Sequence, residues 1–199
     1  MNFDLEDKLS EYVKKGDLDT AIEIAESELK KVSKTDFHAL IGKDLLHLAP
    51  ELSTFISNFY SAVKLRYAIK FSKKLKALYC EMNGFTINYD RWFVDIFAYS
   101  DIDENDYDWL ADYDFLSKRD MTIKGFESFQ KVYEDVHKYQ KFDIPEIEQA
   151  YDIAELIIIL RLQELFRKTY KKAERKGLKW SSIPMFVTAH DYEMMYRIN

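Results

Sequence analysis

Apolar residues recur along most of this chain at the three- and four-residue spacing of an amphipathic helix. Over residues 3–15 the apolar positions are Phe3, Leu5, Leu9, Tyr12 and Val13, and Gly16 breaks the run. Asp17 then offers a cap for a second helix through about Val32, with Leu18, Ala21, Ile22, Ile24, Ala25 and Leu29 as its apolar set. A third helix is expected from the caps Thr35 and Asp36 to Leu48, and Pro50 suits the first turn of the next. From Glu51 to Met82 the spacing of Phe55, Phe59, Ala62, Val63, Ile69, Leu75, Leu78 and Tyr79 again predicts helix, stopped by Asn83-Gly84. Tyr89, Trp92, Phe93, Ile96 and Phe97 predict another helix over 89–98.

Residues 101–120 are the least regular, and loop with short helix is expected there. Helical spacing returns over 123–140. Pro145 opens the longest predicted helix, which runs to about Lys176 and is ended by Gly177. Between Ile153 and Leu160 that helix is apolar almost all round, which places it at the centre of the core. Its second half is basic, which suits the negative end of a helix dipole. The run from Ile183 to Val187 could be strand or extended, and 190–197 could add a helical turn or two. These elements predict an all-α fold, a single-domain helical bundle of about six to eight helices over 1–199. Residues 1–84 would supply the N-terminal helices, 85–122 an acidic aromatic segment, and 123–199 helices around the long central one. The stretch GDLDTAIEIAESEL resembles the first helix of a tetratricopeptide unit, but no second copy follows about 34 residues on.

Hydrophobic residues make up 47% of the chain and charged residues 32%, enough of the first to build a core and so not a disordered tail. Gly (5) and Pro (3) are scarce, which favours long helices over many hairpins. The one cysteine, Cys80, excludes a disulfide within the chain and argues against a cysteine-based zinc site. The opening MNFDLEDKLSEYV lacks the basic and apolar regions of a secretory signal, and no apolar run is long enough to span a bilayer. A cytoplasmic protein with no membrane partner is expected.

Motifs for catalysis or metal binding are missing or incomplete. Glu134 and His137 have the Glu-x-x-His spacing of di-iron bundles, but the second copy that such a site needs does not occur. His190-Asp191 lacks the further histidines of a metal-dependent phosphohydrolase. Asp101, Asp103, Asn105 and Asp112 fall at calcium-loop positions, yet Asp106 stands where that loop needs Gly and Asp112 where it needs Glu. No nucleophile elbow and no phosphate-binding glycine loop is present. The expectation is a protein without enzymatic activity, cofactor or metal.

Charge is distributed unevenly. Residues 89–115 hold nine acids and one base, so they carry −8 in a chain whose net charge is −6. The rest of the chain is therefore close to neutral. The same stretch holds nine aromatic residues. Clustered like charge costs stability by self-repulsion, and carboxylates beside aromatic anchors suit capture of a basic partner. Alternatively, the aromatics are core and the acids are their solvated backs. On the first reading the partner-binding residues are Asp101, Asp103, Glu104, Asp106, Tyr107, Asp108, Trp109 and Asp112. A basic run, Lys64 to Lys76, could suggest nucleic acid, but the acidic pI of about 5.3 argues against it.

Three stretches around this segment are YDRWFVDIFAY (89–99), DYDWLADYD (106–114) and IKGFESFQ (123–130). Together they resemble small helical proteins of bacterial polymorphic-toxin loci, usually regarded as immunity proteins. The resemblance implies an inhibitor that neutralises a cognate toxin by tight binding, with no enzymatic role. The other expectation is a helical scaffold or adaptor of tetratricopeptide type.

Overall fold

The computed structural model describes residues 2–70, 73–85, 90–103 and 106–199. The helix α1 (Phe3–Lys14) starts where the Asn2 side chain accepts the Leu5 N–H at 3.1 Å. Asp17 does the same for α2 (Leu18–Lys31), accepting from Thr20 at 3.3 Å. Each cap satisfies a backbone donor that the first helical turn leaves without an internal partner. The third helix expected over 35–48 is instead two short 3₁₀ turns, Asp36–Leu40 and Leu46–Leu48. Gly42 lies between them at φ +74, a left-handed conformation that no continuous helix contains. The helices α3 (Ala49–Lys70), α4 (Glu127–Lys138) and α5 (Pro145–Arg175) follow.

At 31 residues α5 is about 46 Å long. Every residue from Ile153 to Leu160 is buried, so the helix forms the expected central pillar. Ala21, Ile22, Ala25 and Leu29 of α2 belong to the same core, and α2 and α3 both pack against α5.

The expectation of an all-α helical bundle is overturned by a six-stranded mixed sheet. Its strands are β1 (Ala77–Met82), β2 (Phe93–Tyr99), β3 (Phe115–Leu116), β4 (Met121–Thr122), β5 (Met185–Ala189) and β6 (Tyr196–Ile198). The order is β3-β2-β1-β5-β6, with β4 also on the outer edge of β2. Strands β1 and β5 run parallel from Leu78↔Met185 to Met82↔Ala189, and the other pairs are antiparallel. The segment 77–82, expected as the end of a long helix, is thus a central strand. Of the segment 89–98, also expected as helix, Tyr89 lies outside the described residues and Phe93 onward forms β2, and the C-terminal residues form an edge strand in place of a helical turn.

Residues of one sheet face, Leu78, Cys80, Met82, Val94, Ile96, Ala98, Met185 and Val187, join the core built around α5. From α5 the Gln163 side chain donates to the backbone oxygens of Val187 (3.1 Å) and Met194 (2.7 Å), tying helix to sheet. The opposite face carries a smaller core of Ala77, Tyr79, Tyr99, Phe186 and Met195. Phe97, Ile102, Trp109 and Leu110 pack on it, so the acidic segment covers part of this second face.

Candidate functional site

The acidic segment leaves the sheet at Tyr99 and returns to it at Phe115. Its return is fixed by Asp114, whose carboxylate accepts from Ser100 N–H (2.6 Å), the Tyr67 hydroxyl (2.8 Å) and Lys73 (3.3 Å). Burial works against the charged form of Asp114, but these donors outweigh it and hold the carboxyl below its usual range. Near the other end Lys76 meets Asp101 at 2.7 Å and lowers that carboxyl as well.

Between these ends Trp109 is the foundation. It is half-buried, with its ring edge-on to Tyr99 at 4.6 Å and to Phe186 at 5.2 Å. Its indole N–H donates to the Asp106 backbone oxygen at 3.0 Å, and the Tyr99 hydroxyl donates to the Leu110 oxygen at 2.9 Å. The Asp106 carboxylate accepts the Asp108 N–H at 3.0 Å, which shapes the entry to a 3₁₀ turn over Asp108–Ala111. Tyr107 stands against Phe186 at 6.1 Å and remains 46% exposed.

The structure thus sorts the residues that the sequence grouped together. Trp109 faces the sheet, Asp101 pairs with Lys76, and Asp103, Asp106, Asp108 and Asp112 are exposed. Glu104 lies outside the described residues. Asp95, another acid of the same stretch, sits on the second sheet face directly opposite Glu81. Loss of solvation raises its carboxyl, while Ser117 donates to it at 3.1 Å.

The remaining candidates have mainly structural partners. Nδ1 of His38 takes the Thr35 N–H at 3.0 Å in a helix-start cap. His137 Nε2 lies 2.9 Å from the Tyr151 hydroxyl, and burial lowers its pKa. His190 pairs with Glu81 at 2.5 Å and with Asp191 at 3.5 Å. Cys80 is fully buried, and desolvation pushes its thiol well above the ordinary range. Among the described residues, no group of three or more His, Cys, Asp or Glu side chains could hold a metal ion. Among the same residues, no helix is long and apolar enough to cross a membrane.

No protein-family model, no curated protein and no solved structure matches the chain.

Proposed function

We propose that this chain is a toxin-neutralising immunity protein that acts in the cytoplasm by binding and not by catalysis. The observation that carries this reading is the pinned acidic loop. Four exposed carboxylates, Asp103, Asp106, Asp108 and Asp112, are held on a segment whose aromatic underside is docked on the sheet. A loop fixed before binding loses less conformational freedom on association, and its clustered charge steers a basic partner toward it. Repulsion among the carboxylates costs stability in the free protein and is relieved when cations face them. Trp109 works beneath this surface as its support, and Tyr107 is the ring placed to touch a partner. The scaffold reading has less behind it, because α2 packs into the shared core and no second helical unit of its pattern follows it.

The test is co-expression with the toxic polypeptide encoded beside this chain. Restored growth, lost on disrupting the loop, supports the proposal. Absence of a toxic neighbour, or no rescue despite soluble expression, overturns it.

A further inference from the structure

The fold divides the basic run Lys64 to Lys76. Lys73 and Lys76 pair with Asp114 and Asp101, at the two ends of the acidic loop. Arg66 instead lines a groove of about 340 Å³ between α3 and the segment that follows β3. Its guanidinium lies over the Phe115 ring at 5.2 Å, a cation held on an aromatic face. Among the described residues Arg66, Arg161 and Arg167 are the half-buried arginines. Arg161 and Arg167 pair with carboxylates, whereas Arg66 forms no ion pair with any described residue.

Along α3, Phe55, Phe59, Ala62 and Arg66 fall at i, i+4, i+7 and i+11, which puts them on one face. The two rings are half-buried, Ala62 is exposed, and Leu116 of β3, 39% exposed, lines the same groove from the sheet edge. Lys118 and Arg119 line it too, both exposed and neither in an ion pair with a described residue. Among the described residues no Asp or Glu lines the groove. An apolar floor beside three cations, with no carboxylate of its own, complements a ligand with an apolar body and one anionic end. The volume is on the scale of a small molecule.

We propose that this groove binds a medium-chain fatty carboxylate, its alkyl chain on Phe55, Phe59 and Leu116 and its head group against Arg66, Lys118 and Arg119. Each methylene that leaves water adds to the affinity, and a planar guanidinium can donate two parallel hydrogen bonds to a carboxylate. The three cations repel one another in the free protein, and an anion among them relieves that repulsion. This inference does not rest on the toxin-inhibitor reading.

Calorimetric titration of the full chain with millimolar octanoate at neutral pH tests the proposal. Octanoate should bind saturably and at least about tenfold more tightly than octanol, which has the chain without the charge. Acetate, which has the charge without the chain, should not bind. Arg66→Met keeps an apolar stem and removes the cation, so it should weaken octanoate about tenfold and leave octanol unchanged. Ala62→Glu sets a carboxylate at an exposed position of the groove and should abolish octanoate binding, with the folding of both variants checked by circular dichroism. Failure of octanoate to bind saturably, equal affinity for octanol, or equal loss of both ligands in Arg66→Met would overturn the proposal. A dimer in sedimentation that Ala62→Glu dissociates would also overturn it, because a second copy would then fill the groove.

Discussion

Replacing Glu155 by Gln should change how stability depends on pH. Loss of solvation pushes this buried carboxyl from the ordinary 4.5 up to about 7, Asp152 adds to the rise, and the Tyr192 hydroxyl opposes it. Between these two values the folded protein keeps a proton that the unfolded chain has released. The resulting stability is fully present below pH 4.5 and is lost as the pH rises through about 7. At roughly 1.4 kcal/mol per pH unit, the loss from about pH 5 to about pH 8 is about 2.5 kcal/mol. Gln keeps the shape and an acceptor for Tyr192 but cannot ionise. Urea unfolding of parent and variant at both pH values reads the difference. Other displaced carboxyls, upward at Glu6 and Asp95 and downward at Asp19 and Asp114, titrate in both proteins and cancel. The variant should gain about 2.5 kcal/mol on the parent between the two pH values, whatever their offset at the lower one. A stability difference that stays constant with pH would refute the reasoning.

Leu162→Ala, in the fully buried stripe of α5, should cost about 3 kcal/mol in chemical denaturation, and a cost under about 1 would remove α5 from the centre of the core. Tyr67→Phe deletes the hydroxyl that donates to Asp114 at 2.8 Å, so it should cost about 1–2 kcal/mol by urea unfolding; a neutral result would mean that this bond does not anchor the loop. Trp109→Ala should cost about 2 kcal/mol and raise amide exchange over 106–112 while the central strands stay protected. Unchanged exchange there would show that the ring is not the loop's foundation.

Apolar spacing made α1, α2 and α5 readable in the sequence, and Asp17 and Pro145 marked the starts of the last two because they act locally; the Asn2 cap of α1 came from the structure alone. The sheet was not readable for two physical reasons. Strand β1 is buried on both faces, so Ala77 to Cys80 show no alternation that separates strand from helix. Its parallel partner β5 is more than a hundred residues away, and nothing in either segment announces the other. In and just before β2, Trp92, Phe93, Ile96 and Phe97 match helical spacing by coincidence, because Val94, Ile96 and Ala98 face one core while Phe97 and Tyr99 face the other. The acidic segment was legible as charge, but not the role of Trp109 beneath it.

The central claim is that the pinned carboxylates capture a basic toxin. Its most direct test is the association rate with the candidate toxin of the co-expression test, for the parent and for a variant with Asn at Asp103, Asp106, Asp108 and Asp112. The variant should fold as well as the parent or slightly better, since repulsion is removed. Its association should be about tenfold slower at low salt, and the gap should close at high salt, where the parent's own steering is screened. Equal association rates at both salt concentrations, with equal protection of cells, would contradict the account.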